Sequence, residues 1–213
     1  MNSPAIKVPV KPIKLYRFSL SGHSHRVELF LSLLGLPVEL INVDLAAGAQ
    51  KKPGFLEMNP FGQVPVIQDG AVTLADSNAI LVYLAEKYSD GRWLPHDPLR
   101  AAEVQRWLSV AAGPLAFGPA AARLIQLFKA PLNVDEVTGR AQRLLEVMDK
   151  VLQKSPYLVG ATPTLADIAN YSYIAHAPEG GVSLAPYPHV RTWLASIEAL
   201  PGFVPMVKSP TTA

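Results

Sequence analysis

Up to about residue 88 the apolar residues of this chain keep changing their period, and beyond residue 98 they keep a single one. That switch limits the folds open to it. IKLYRF, residues 13–18, is a β-rich run of the kind that makes a buried strand. From Val27 the spacing turns helical, with Val27, Phe30, Leu31 and Leu34 on one face. Leu29 and Leu33 lie on another face, so this helix is expected to be covered on two sides. Gly35 stands where a glycine stops a helix, and Pro37 follows. VELINV, residues 38–43, reads as a second strand. NPFGQVPVI ends in a third, and Asp69-Gly70 ahead of AVTL signals a tight hairpin into a fourth. Asp76 and Ser77 then open a helix with Ile80, Tyr83, Leu84 and Tyr88 on its apolar face. The order is β-α-β, then β-β-α.

SDGRWLPHDP, residues 89–98, is the expected linker, and every long segment after it is helical in period. Asp97-Pro98 offers an N-cap followed by proline at the first helical position. Val104, Trp107, Leu108 and Ala111 form one stripe; Asn133 with Glu136 caps a helix carrying Leu144, Leu145, Met148 and Val151. Thr164 and Asp167 have the spacing of a capping box ahead of Ile168, Tyr171 and Ile174. A last amphipathic helix starts at Pro188 and stops before Pro201. The expected divisions are a flexible leader 1–12, a first domain 13–88, the linker, an all-helical domain 99–207 and a tail 208–213.

Composition removes several functions. The chain has 213 residues, 49% of them hydrophobic, which is enough for a sizeable core. Nineteen basic residues against 17 acidic ones give a net charge of +2, without the basic stripe of a nucleic-acid surface. No run approaches 18 uninterrupted apolar residues, and the first residues lack the apolar core of a secretory signal. A cytoplasmic protein with neither nucleic-acid nor membrane partners is expected. There is no cysteine, so any thiol chemistry must use a sulfur carried by a ligand. The five histidines show no metal-ligand spacing and the glycines form no phosphate loop, so no metal is expected.

Four motifs, in order, carry a resemblance: SGHSHRV after the first strand, NPFGQVPVI, the helix start ADSNAILVYL, and TPTLADI in the helical half. With them the chain resembles a glutathione transferase of the serine-dependent type from about Ile13 to Val207. The resemblance implies a thioredoxin-like N-terminal domain (β-α-β-α-β-β-α), an all-α C-terminal domain and a two-fold homodimer. It also implies that glutathione is the co-substrate and a small hydrophobic electrophile its partner.

Each position can be weighed beside that name. Pro65, entering what reads as an edge strand, removes a ladder donor and belongs at an edge or a strand start. The resemblance makes its peptide bond cis, turning the Val64 N–H and C=O toward the backbone of a bound cysteine residue. Asp76 and Ser77 suit a helix cap. They equally suit an anion site, where the family holds the γ-glutamyl carboxylate (Ser77) and amine (Asp76, usually Glu in the family). Lys51 and Gln63 are candidates for the glycyl carboxylate; Lys51 also suits a solvated surface, and Lys52 can replace it.

Ser21 falls where serine-type transferases keep the activating hydroxyl, although plain helix capping also explains it. His23 is either a second donor or a pocket wall. Ser24 and His25 read as first-turn residues, and Arg26 as a packing or pairing residue. Trp107, Ala111 and Phe117 are candidates for the electrophile's pocket, though Trp107 equally suits the core. Thr164 and Asp167 are assigned to structural capping, and Phe61 to either a partner contact or the core. The function expected is a glutathione S-transferase. Its rivals are a glutathione-dependent disulfide or peroxide reductase and a non-catalytic relative that binds apolar ligands.

Overall fold

The computed structural model describes residues 9–209, so most of the expected leader and tail lies outside the described residues. The described residues divide into two compact units, one running from residue 9 to Leu94 and taking back Pro201–Val207, the other Pro95–Leu200 with Lys208 and Ser209.

In the first unit a sheet of order β2-β1-β3-β4 is built from β1 (Ile13–Arg17), β2 (Val38–Asn42), β3 (Val66–Asp69) and β4 (Val72–Ala75). β1 pairs parallel with β2 and antiparallel with β3, and β3 pairs antiparallel with β4. The parallel pair needs a crossover, which α1 (Gly22–Leu33) supplies. This helix begins five residues before the apolar spacing at Val27 becomes visible, because Ser21 caps it (the cap is polar). At its end Gly35, at φ +65°, closes a Schellman motif: its N–H reaches the Ser32 carbonyl and the Leu36 N–H that of Leu31.

Cross-strand partners share a face. Tyr16, Val66 and Ala75 are in register and join Val43 and Phe55, the latter from the short α2 (Pro53–Leu56), in a small core. The hairpin turn is Gly70-Ala71, with Asp69 paired to Val72 as the last residue of β3. Asp69 is therefore not the turn former its sequence suggests. Buried, it accepts Tyr83 Oη at 2.8 Å, Lys87 Nζ at 2.7 Å and Tyr88 Oη at 2.7 Å. All three donors come from α3 (Ser77–Tyr88). Pro201–Val207, expected to end the helical part, belongs to this first unit. There Ser32 Oγ donates to the Gly202 carbonyl at 2.7 Å, and His25 Nε2 lies 2.9 Å from that of Val204.

The second unit holds α4 (Pro98–Ala112), a π-helical turn Ala116–Ala120, α5 (Ala121–Phe128), α6 (Val134–Leu152), α7 (Leu165–Ala175) and α8 (Pro188–Glu198). The run Pro98–Phe128 has the length and apolarity to cross a membrane, but half of its apolar window is buried inside the protein, as in a core helix. Asp97 and Asn133 cap α4 and α6 as the sequence suggests. On α6 the inward stripe runs through Leu152, while Val151 is only half-buried. Tyr187 gives α8 no side-chain cap. Asp149 of α6 replaces it, accepting the His189 and Val190 N–H groups at 2.8 and 3.0 Å.

The second unit also contains a polar cluster. Glu179 accepts from Arg123 Nε at 2.6 Å and the Ser209 N–H at 3.1 Å, with His176 Nδ1 at 2.7 Å. Ser209, read as tail from sequence, is buried there.

α7 is buried from Leu165 to Ile174, and its capping box forms. Asp167 Oδ2 accepts the Thr164 N–H at 2.8 Å; Oδ1 accepts the Leu158 N–H and Trp193 Nε1, each at 2.9 Å. Asp167→Ala strands those buried donors, so a loss of about 3 kcal/mol is expected. A thermal melt reads the loss, and a variant with the wild-type melting temperature would contradict it.

Candidate functional site

Four of the candidate residues, Ser21, His23, Asp76 and Ser77, sit at the starts of α1 and α3. Ser21 has extended backbone angles, and its Oγ accepts the Ser24 N–H at 3.2 Å. Ser77 is buried at the start of α3, where its Oγ accepts from Arg26 Nη1 at 3.2 Å and lies 3.3 Å from His23 Nδ1. Arg26 Nη1 also donates to Asn78 Oδ1 at 2.8 Å. Two residues of α1 thus reach across to α3, bringing together two helix starts with the partial positive charge of each.

Asp76 stands at φ 70°, ψ 120°, a conformation strained for any residue with a side chain. Its Oδ1 accepts the N–H groups of Asn78 and Ala79, both at 2.9 Å, which secures the turn. An anion arriving at this helix start therefore meets the Ser77 hydroxyl with the Arg26 charge behind it. Neither of those bonds uses Oδ2 of Asp76.

The Val64–Pro65 bond is cis. Pro65 immediately precedes β3, which pairs on both sides, so it stands at a strand start and not at the edge the sequence suggested. Lys51 is exposed and lies over Gly62. A Cβ on Gly62, whose φ is +60°, would sit 2.9 Å from the Gln50 carbonyl and 3.0 Å from Lys51 Nζ, so only glycine fits. Gln63 is exposed, and its carbonyl accepts from Asn59 Nδ2 at 2.8 Å. Asn59 also takes the Phe61 N–H at 3.1 Å. The loop holding Gln63 is thus built on Asn59 and Gly62, both inside the NPFGQ motif but neither singled out from sequence. Phe61 itself is 80% exposed and is no core residue.

In the second unit Trp107 and Ala111 are buried in the inward stripe of α4, where the Trp107 carbonyl accepts from Asn170 Nδ2 at 3.2 Å. Phe117 is 58% exposed. Trp107 and Ala111 pack as core residues.

Residues 11–86 match the family described as Glutathione S-transferase, N-terminal domain, and residues 119–201 that described as Glutathione S-transferase, C-terminal domain. The chain belongs to the glutathione S-transferase family. It is similar to Glutathione S-transferase 3 of Zea mays, with 38% identity over 207 residues covering 90% of this chain and 91% of that protein. Disulfide-bond oxidoreductase YfcG of Escherichia coli (strain K12) is 33% identical over 204 residues, covering 89% and 91%. The crystal structure of a glutathione S-transferase from Pseudomonas fluorescens aligns with a TM-score of 0.87 at 34% identity, covering 93% of this chain and 100% of that one.

Desolvation of its half-buried ring, and after it the charge of Arg26, pushes His23 down to about 3 from its ordinary 6.5. The unfolded chain takes up this proton below 6.5 and the folded one refuses it until about 3, so His23 erodes stability as pH falls through that window. Its ring signals in a proton NMR titration are expected to stay flat from pH 5 to 8; a midpoint near 6.5 would contradict the neutral ring.

Proposed function

We propose that the first unit binds reduced glutathione and holds its sulfur as a thiolate, which attacks hydrophobic electrophiles by substitution or addition. The observation that carries this reading is the junction of two helix starts through Arg26 and His23. It concentrates donors and positive potential where a thiolate and a carboxylate of one ligand are to be held. In this reading the γ-glutamyl carboxylate goes to Ser77 and the amine to Asp76. The cysteinyl backbone goes to Val64 beside Pro65, and the glycyl carboxylate to Lys51 and Gln63. Ser21 donates its hydroxyl proton to the sulfur. Phe117 is the first candidate to meet the electrophile, with Trp107 and Ala111 as the buried members of that set.

The magnitude is reasonable. Lowering a thiol from ~8.5 to ~6.5 takes ~2.7 kcal/mol and raises the thiolate fraction at neutral pH from roughly 3% to roughly 75%. One hydrogen bond to a charged acceptor supplies ~1.5–3 kcal/mol.

A second reading, a glutathione-dependent disulfide reductase, is supported by the similarity to the Escherichia coli oxidoreductase. Since the chain has no cysteine, a second glutathione would have to resolve the mixed disulfide. The family resemblance also supports a cytoplasmic homodimer.

Ultraviolet titration of glutathione bound to the protein should show thiolate well below pH 8. Ser21→Ala should raise that midpoint by ~1–2 units, as expected for loss of one charged hydrogen bond. Saturable binding with an unshifted thiol would leave glutathione as a ligand only. Turnover of a small disulfide without conjugation would select the reductase.

A further inference from the structure

Ser77 Oγ has one proton and two neighbours that compete to decide its direction. Arg26 can only donate, so its Nη1, 3.2 Å away, occupies a lone pair of Ser77. His23 Nδ1, at 3.3 Å, can either accept the Ser77 proton or donate its own. With only 5% of Ser77 exposed, a hydroxyl proton without an acceptor is costly, so the ligand-free site directs it to Nδ1 and the ring carries its hydrogen on Nε2. A carboxylate arriving at Ser77 takes that hydroxyl proton as its hydrogen bond. The contact with His23 then survives only if Nδ1 becomes the donor. His23 lies two residues beyond Ser21 on the same turn of α1.

Resting on the glutathione reading above, we propose that His23 is a positioning residue whose tautomer reports occupancy of the γ-glutamyl carboxylate at Ser77: hydrogen on Nε2 in the empty site, on Nδ1 in the filled one. The ring stays neutral throughout, because one proton leaves Nε2 and another arrives at Nδ1 through water. With Nδ1–H and Arg26 both donating to it, Ser77 is polarised into a stronger donor toward the carboxylate. The end of the imidazole away from Ser77 changes at the same time from donor to acceptor. The hydrogen-bonding character of the first turn of α1 thereby depends on what binds at α3. The burial that holds the ring near 3 keeps the cation from intruding on this exchange at neutral pH.

Imidazole ¹⁵N shifts separate the two tautomers, so the test is NMR of histidine-labelled protein titrated with S-methylglutathione, which keeps the γ-glutamyl carboxylate and has no free thiol. His23 is expected to pass from Nε2–H to Nδ1–H as the ligand saturates, and Ser77→Ala to abolish the change. Cysteinylglycine, which lacks the γ-glutamyl group, should leave the ring as it was. His23→Leu should weaken S-methylglutathione about threefold to tenfold, the range of one hydrogen bond, and His23→Asn, which keeps a donor at the δ position, should recover most of that. Saturable binding with an unmoved ring, or a ring already Nδ1–H in the empty protein, overturns the coupling and leaves glutathione binding standing. Failure of S-methylglutathione and glutathione alike to bind overturns both.

Discussion

The guanidinium of Arg26, with none of its surface exposed, joins the first turns of α1 and α3. Much of the first unit's usefulness depends on that one cation. Buried charge is costly unless it is hydrogen-bonded, and here two of its acceptors are the Ser77 hydroxyl and the Asn78 amide oxygen. Those two bonds, both from Nη1, fix the Ser77 hydroxyl oxygen; the cation adds to what burial does in lowering the basicity of His23, and it brings positive potential to a helix start whose second and third N–H groups Asp76 has already taken. A helix end whose amides are occupied is a weak anion site by itself. The buried cation adds charge beside it.

Local chemistry explains which parts of this arrangement were legible in the sequence. Asp97, Asn133 and the Thr164–Asp167 pair cap helices through donors within three residues, so their spacing declares them. The apolar stripe of α4, Val104, Trp107, Leu108 and Ala111, is equally local, and all of it is buried as its period requires. The cis bond at Pro65 came from resemblance, since nothing in the residues themselves distinguishes it from trans.

What the sequence hid has its partner far away along the chain. Asp69 reads as a turn former because Asp-Gly usually is one, and its three α3 donors lie 14 to 19 residues on. Asp149 caps a helix about 40 residues away, and Arg26 reaches more than 50 residues to α3. Asn59 and Gly62 were visible only as letters in a motif: one braces a loop with both ends of its amide, the other leaves room for the Gln50 carbonyl. For Phe61 hydrophobicity was a poor guide, because apolar residues supply much of any protein's surface.

Ser21 shows why capping and chemistry need not be rival explanations. As N-cap its Oγ accepts the Ser24 N–H and so uses a lone pair. The proton on the same oxygen is not used by that bond, and the cap holds the oxygen in place, which limits the directions the proton can take. In the proposed role of Ser21, a sulfur arriving beyond the first turn would meet a donor whose position the helix already fixes. Little ordering entropy then remains to be lost on binding. The same economy holds at Asp76, where one carboxylate oxygen closes the helix and the proposed function gives the other to the ligand amine. In a chain without a cysteine, the proposed function rests on these half-used capping groups to act on a sulfur the protein does not own.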